Sequence, residues 1–288
     1  MAIDRNKPQP LTINGNPHFT LSDYEPGDVT VTRPRLTDSD FAFELQRMLF
    51  PHGMEEKDLS DEWVSANTPF KTVDKFKKGV KANMENSAAM AVEREKNDLI
   101  LANMAKKLEQ SVPQEMIDQM KRNITLGLEQ DAQRLGMDTA SLKAATGLTD
   151  AQIEEMALQN AKSKAALLAY VDEKKIKVEE SDLASIFGNK EATDTLIAEA
   201  KKHNELSNLL RDAAATKAHQ ELANEARITY EIETLEAANT RAKEYEKILH
   251  EMHEQLVSQK AAEAAEAAAE QQATENAQKA TKNEEDAN

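Results

Sequence analysis

The placement of helix-breaking residues constrains this chain more than any other feature. Proline and glycine number eight each in 288 residues, the last proline is Pro113 and the last glycine is Gly188. An interior proline costs a helix about 3 kcal/mol and an interior glycine about 1 kcal/mol. A chain nearly free of both over its second half has little to interrupt long helices. The informative exception is SVPQEMIDQM at 111–120, which falls inside a pattern that is otherwise helical on both sides. Proline is tolerated at the first turn of a helix, where its missing N–H has no partner to lose. Ser111 suits the N-cap and Glu115 brings negative charge to the helix start. One long helix therefore ends here and a second begins in a new direction, with Pro113 as the structural corner.

Composition agrees with an all-α chain. Aromatic residues are 4% and charged residues 31%, which suits extended amphipathic helices with thin interfaces better than a thick core. The length fits one or two domains. With 52 acidic against 36 basic side chains the formal charge is −16, a field that repels a phosphate backbone, so no nucleic acid is expected as partner. The absence of cysteine excludes disulfides, thiol catalysis and thiolate metal sites. MAIDRNKPQP has no apolar run of the signal-peptide kind and no window approaches a membrane span, so no membrane association and a cytoplasmic location are expected.

Along the chain, residues 1–57 read as a proline-rich arm. DVTVT (28–32) alternates as a short strand would, and needs a partner to be stable. A helix over 37–50 is capped by Thr37 or Ser39 and carries Phe41, Leu45, Met48 and Leu49 at helical spacing. Trp63, the only tryptophan, anchors the following linker onto the helices. From Thr72 to about Gln110 a helix of roughly 57 Å is predicted. Val73, Phe76, Val80, Met84, Ala88, Ala91 or Val92, Leu99 and Met104 mark its face, with Glu95 breaking the row. A helix that long must lie along another or project. The second helix, from Pro113 to about Leu135, carries Met116, Ile117, Met120, Ile124, Leu128 and Leu135, and Gly136 stops it. A short helix ends at Gly147, and Thr149 or Asp150 caps the next, whose stripe is Ile153, Met156, Ala157, Ala161, Leu168 and Val171. From Ala226 the alternation Ile228, Tyr230, Ile232 suits a strand, whereas Ile228, Ile232, Leu235, Ala242, Tyr245, Leu249, Met252 and Leu256 suit a helix. Helix is preferred over 226–260 as a C-terminal extension. From 261 an acidic Ala/Glu-rich tail starts helical and frays into disorder.

The residues offer no active site. His250 and His253 share a helix face in HEMHE, but the order is not H-E-x-x-H and no third ligand follows from spacing. A solvated helix face is the preferred reading, and a metal there the weakest of three functional readings. Paired carboxylates such as Glu154/Glu155 occur on exposed helices, where they mean solvation rather than acid–base work. There is no G-x-S-x-G, P-loop or dinucleotide fingerprint. The methionines of the long helices, Met84, Met90, Met104, Met116, Met120 and Met156, suit interhelix packing. Where exposed, they suit an adaptable apolar surface.

The corner also carries a resemblance. SVPQEMIDQMKRNITLGLEQDAQRLGMD (111–138) resembles the C-terminal domain of the bacterial chaperone trigger factor, with Val112, Pro113, Met116, Ile117 and Asp118, then Arg134, Leu135 and Gly136, in the family's motif positions. LSDEWV (59–64), TPFKTVDKFKKGVKANME (68–85), VDEKKIKVEESDL (171–183) and NELSNLLRDAAATKAHQEL (204–222) are similar to its flanking segments in the same order, the last with Leu210, Arg211 and Lys217 matching. The resemblance covers about residues 58–225. The ribosome-docking G-F-R-x-G-[KR]-x-P loop is missing, and residues 1–57 do not resemble the docking or FKBP-type isomerase domains. Ribosome docking and prolyl isomerase activity are therefore not expected, and no cofactor or enzyme activity is implied.

The resemblance implies a helical body over 58–225 with projecting arms and a cleft between them. There an ATP-independent holdase would bind unfolded or nascent polypeptide clients. The client-binding residues expected on this basis are Met84, Met104, Met116, Met120, Ile124, Met156 and Leu168. The alternative is a helical scaffold or assembly protein that buries the same stripes in a defined oligomer, and they also suit a homodimer.

Overall fold

The computed structural model describes residues 7–13 and 16–285, with side chains given for 7–12, 16–262 and 265. Four short strands are β1 (Leu11–Ile13), β2 (Asn16–His18), β3 (Asp28–Arg33) and β4 (Arg227–Ile232). Ten α-helices lie among the described residues: α1 (Asp38–Leu49), α2 (Asp61–Asn67), α3 (Val73–Lys106), α4 (Gln114–Arg134), α5 (Thr139–Thr146), α6 (Asp150–Lys174), α7 (Leu183–Phe187), α8 (Lys190–Lys202), α9 (Leu206–Glu225) and α10 (Leu235–Glu285). The fold is all-α with short N-terminal strands, as the glycine and proline distribution predicts.

Local sequence explains most helix boundaries. Thr37 and Asp40 close a capping box on α1, and Thr149 and Gln152 close one on α6. Ser60, Asp138 and Asn189 accept the N3 amide at the starts of α2, α5 and α8. Gly147 ends α5 at φ +67°, a left-handed conformation that glycine adopts without steric cost.

The chain forms two compact units, each assembled from two stretches. The first is Met1–Val31 with Glu93–Thr229, the second Thr32–Val92 with Tyr230–Asn288. The bounds of these units do not coincide with the divisions at 57 and 225 that the resemblance implies, nor with that at 260 suggested by composition.

In the first unit α6 is the central helix, packed against α4 on one side and α9 on another. Its buried face is rich in alanine: Ala157, Ala161, Ala165, Ala166 and Ala169, beside Leu158, Leu168 and Tyr170. α9 answers with Ala213, Ala214, Ala215 and Ala218 around Leu222. Small side chains at such a contact let two helix backbones approach closely. α4 and α6 run antiparallel: Met116 shares a cleft with Leu168, and further along α4 Lys121 Nζ bonds Glu154 Oε1, earlier in α6, at 2.8 Å.

In the second unit Leu45, Leu49, Val64, Phe76 and Val80 form the core, with Phe41, Trp63, Phe70 and Met84 packed at its edge. Trp63 thus takes the anchoring role its position suggests, with His52 edge-on to it at 5.3 Å. The start of α10 returns onto α1. The Tyr245 and Phe43 rings stack at 4.1 Å, and Ala238 and Leu256 are buried. Arg241 donates to Asp40 Oδ1 at 2.7 Å and to the Arg35 carbonyl at 3.0 Å, and pairs with Glu233 as well. Burial raises the pKa of the Asp40 carboxyl, but the hydrogen bonds from Arg241 and Thr37 outweigh it and hold it below the ordinary carboxylate value.

Two sequence expectations change. Residues 226–232 are not the start of a helix: β4 occupies Arg227–Ile232 and pairs with β3. The strand of DVTVT needed a partner, and ARITYEI supplies it. β-branched and aromatic residues at 228–230 favour the extended form once a ladder is available, and helical spacing takes over only from Leu235. The alanine- and glutamate-rich segment from 261, expected to fray, continues as helix through Glu285.

Candidate functional site

The corner between α3 and α4 is built by more than its proline. α3 ends at Lys106, and residues 107–113 connect it to the start of α4 at Gln114. This stretch pairs with the N-terminal segment: Leu21 bridges Leu108, Ser22 N–H donates to the Lys107 carbonyl at 2.9 Å and Glu109 N–H to the Thr20 carbonyl at 3.0 Å. Phe19, Leu21, Leu108 and Val112 are buried beneath. Pro113 itself is the N-cap of α4, with no side-chain cap. Ser111 does not cap the helix as expected. Its hydroxyl accepts from Gln9 Nε2 at 2.8 Å and donates to the Pro8 carbonyl at 3.3 Å. The change of direction is thus fixed by pairing with residues 7–22, and proline supplies a compatible backbone.

A cleft of about 580 Å³ opens at this corner, wholly within the first unit. That volume is in the range of natural ligand pockets. One wall is the β1–β2 hairpin, with Pro10 and Pro17. A second is the first turns of α4, with Pro113, Met116 and Gln119. α6 contributes Lys164 and Leu168, and α9 contributes Asn208, Arg211 and Asp212. The charges are tied locally: Lys164 Nζ lies 2.8 Å from Asp212, Arg211 donates to the Pro17 carbonyl at 3.2 Å, and His18 Nδ1 meets Asp172 at 3.0 Å. Such a surface offers patches of apolar contact between hydrogen-bonding groups that already face a backbone. It is more polar than the Met-lined cleft expected from sequence.

The structure separates the seven expected client-binding residues. Met116 and Leu168 meet in the cleft with Pro113. Leu168 is 3% exposed and can only form its floor. Met120 and Ile124 are half-buried further along α4, and Met156 is 45% exposed on α6. Neither Met120 nor Met156 lines the cleft. Met104 is 0% exposed. As a core side chain it is removed from the contact surface. Met84 belongs to the second unit, half-buried beside a separate hollow of about 430 Å³ lined by Phe41 and Lys81. Helical periodicity places residues on a face but does not say which face another helix covers, and that is why Met104 was misread.

Sequence reasoning also missed Lys164, Asn208, Asp212 and the N-terminal arm as parts of the cleft. Arg211 had one signal, its place in a family-like motif. The arm had none, since its partners lie about a hundred residues or more downstream. His250 and His253 do not converge. His253 pairs with Glu55, and His250 lies 3.4 Å from Glu254. Among the described residues no group of His, Cys, Asp and Glu side chains is arranged to hold a metal, and no helix is long and apolar enough to cross a membrane.

A protein-family model described as the bacterial trigger factor protein C-terminus matches residues 72–218. A search of curated proteins finds no match.

Proposed function

Because the chain belongs to the family of the bacterial trigger factor C-terminus, the chaperone part of that protein rather than its isomerase part, we propose that it is an ATP-independent holdase. Unfolded or nascent polypeptide segments bind at the corner cleft of the first unit. The observation that carries this reading is the junction of apolar and polar groups there. Met116 and Leu168 offer side-chain contact, and Ser111 and Arg211 already hydrogen-bond peptide carbonyls. Met120, Ile124 and Met156 extend the apolar surface beyond the cleft.

The energetics suit capture and release. Burying ~200 Å² of apolar client surface contributes ~5 kcal/mol at 25 cal/mol per Å², before ordering costs reduce it. Affinities in the millimolar to micromolar range correspond to about 4–8 kcal/mol. Thioethers bend to fit many side chains, which gives breadth rather than selectivity. The charge of −16 favours clients whose exposed apolar segments are flanked by basic residues.

The test is binding of a permanently unfolded, reduced and alkylated protein, followed by fluorescence anisotropy. The chain binds it and does not bind the native form. A triple Met116→Gln/Met120→Gln/Met156→Gln variant weakens binding at least tenfold, about 1.4 kcal/mol, while Met84→Gln in the other unit leaves it unchanged. Equal affinity for folded and unfolded forms overturns the proposal.

A further inference from the structure

The N-terminal arm is attached in an unusual way. Residues 7–18 contribute no buried side chain among those described, and Leu11 is 74% exposed. The arm is held by its backbone and its two ends. The Pro8 carbonyl accepts from the Ser111 N–H at 2.9 Å and the Pro17 carbonyl from Arg211 at 3.2 Å. Lys7 donates to the Leu108 carbonyl, and His18 meets Asp172. Only at Phe19, 1% exposed, does the chain become anchored in the core. Hydrogen bonds to main-chain carbonyls read an extended peptide without reading its sequence, and prolines keep such a peptide extended at little entropic cost. Release of the arm therefore costs mainly these hydrogen bonds and uncovers Ser111, which is buried beneath it.

We infer that the arm, residues 7–13 and 16–18, is an internal occupant of the Ser111 and Arg211 donors at the wall of the corner cleft, standing where a client's backbone docks and released to admit one. This rests on the reading of the cleft as the client site. It also specifies the client class: extended, proline-containing segments with a hydrogen-bonding side chain at each end, matched to the Leu108 carbonyl at one end of the arm and Asp172 at the other. Ser111 and Arg211, freed of Pro8 and Pro17, then donate to the client's carbonyls.

The chain has no cysteine, so a full-length Gln9→Cys/Ser111→Cys variant carries the only two thiols and can bridge the arm to the corner. Gln9 Nε2 and Ser111 Oγ are 2.8 Å apart, and a short bis-maleimide spans the pair if thiol titration shows no disulfide. The bridged and reduced forms are the same polypeptide, and far-UV circular dichroism checks that both are folded. Binding of an unfolded, alkylated protein is measured for each, with the synthetic peptide KPQPLTINGNPH as competitor. The expected result is at least fivefold weaker client binding in the bridged form, restored in the reduced form, with the peptide displacing client from the latter. Equal client binding by the two forms overturns the internal-occupant proposal and leaves the chaperone reading intact. If neither form binds client, the chaperone reading falls and takes this proposal with it.

Discussion

Tyr170 shows how a single side chain in this molecule is tuned by its packing. Its ring is fully buried in α6 and its hydroxyl donates to Glu225 Oε2 at 3.2 Å. Burial first, and the Glu225 carboxylate beside it, push the phenol pKa up to about 12. The folded value lies above the unfolded value near 10, so the folded state resists ionisation. The stability this contributes is present below about pH 10 and is lost as the pH rises through about 12. Urea denaturation from pH 8 to 12 is expected to show that decline in the wild type and a flatter profile in Tyr170→Phe, which gives up about 1 kcal/mol at neutral pH for the lost hydrogen bond. Gly79 makes a second residue-scale case. A Cβ there would lie 2.3 Å from the Phe70 Cζ, so the ring must shift out of the edge of the second unit's core. Gly→Ala inside a helix ordinarily adds about 1 kcal/mol, yet Gly79→Ala is expected to lose about 1 kcal/mol through overpacking. In a Phe70→Leu background the same substitution becomes neutral or stabilising by denaturant titration, which isolates the clash as the cause.

At the scale of elements, what the sequence made legible was what local chemistry determines. The caps at Thr37 and Thr149, the stops at Gly136 and Gly147 and the long stripes of α3, α4 and α6 all depend on residues within a few positions of each other. β3 and β4 were legible only as a pair. Each is a weak signal alone, and the alternation at Ile228, Tyr230 and Ile232 lost to a helical pattern because its partner lies about two hundred residues earlier. The corner was located correctly and its cause was not. Pro113 stands at the bend, but the bonds that hold the bend come from Pro8, Thr20 and Leu21. Pro113→Ala is accordingly expected to leave helix content unchanged in far-UV circular dichroism and to cost less than about 1 kcal/mol. Leu108→Ala, which empties the buried bridge, is expected to cost about 2–5 kcal/mol. A gain in helicity in Pro113→Ala, from fusion of α3 with α4 through 107–113, would show that proline alone sets the corner.

For the molecule as a whole, membership of the trigger factor C-terminal family and an acidic surface charge describe a chaperone-like protein. The family match takes in most of the first unit's helices and the start of α3 in the second. Of the candidate site, Met116, Leu168 and Pro113 were named from the sequence and are found in one cleft. Its polar half was not, because Arg211, Lys164 and the arm meet only after folding. The central claim is that this chain holds unfolded polypeptide without nucleotide. The most direct measurement is light scattering of a chemically denatured client diluted into nucleotide-free buffer with increasing amounts of the purified protein. The account predicts that aggregation is suppressed at near-stoichiometric ratios and that adding ATP changes nothing. Unsuppressed aggregation, together with a single oligomer of fixed stoichiometry for the protein alone, would contradict it and favour a scaffold that buries the same stripes against itself.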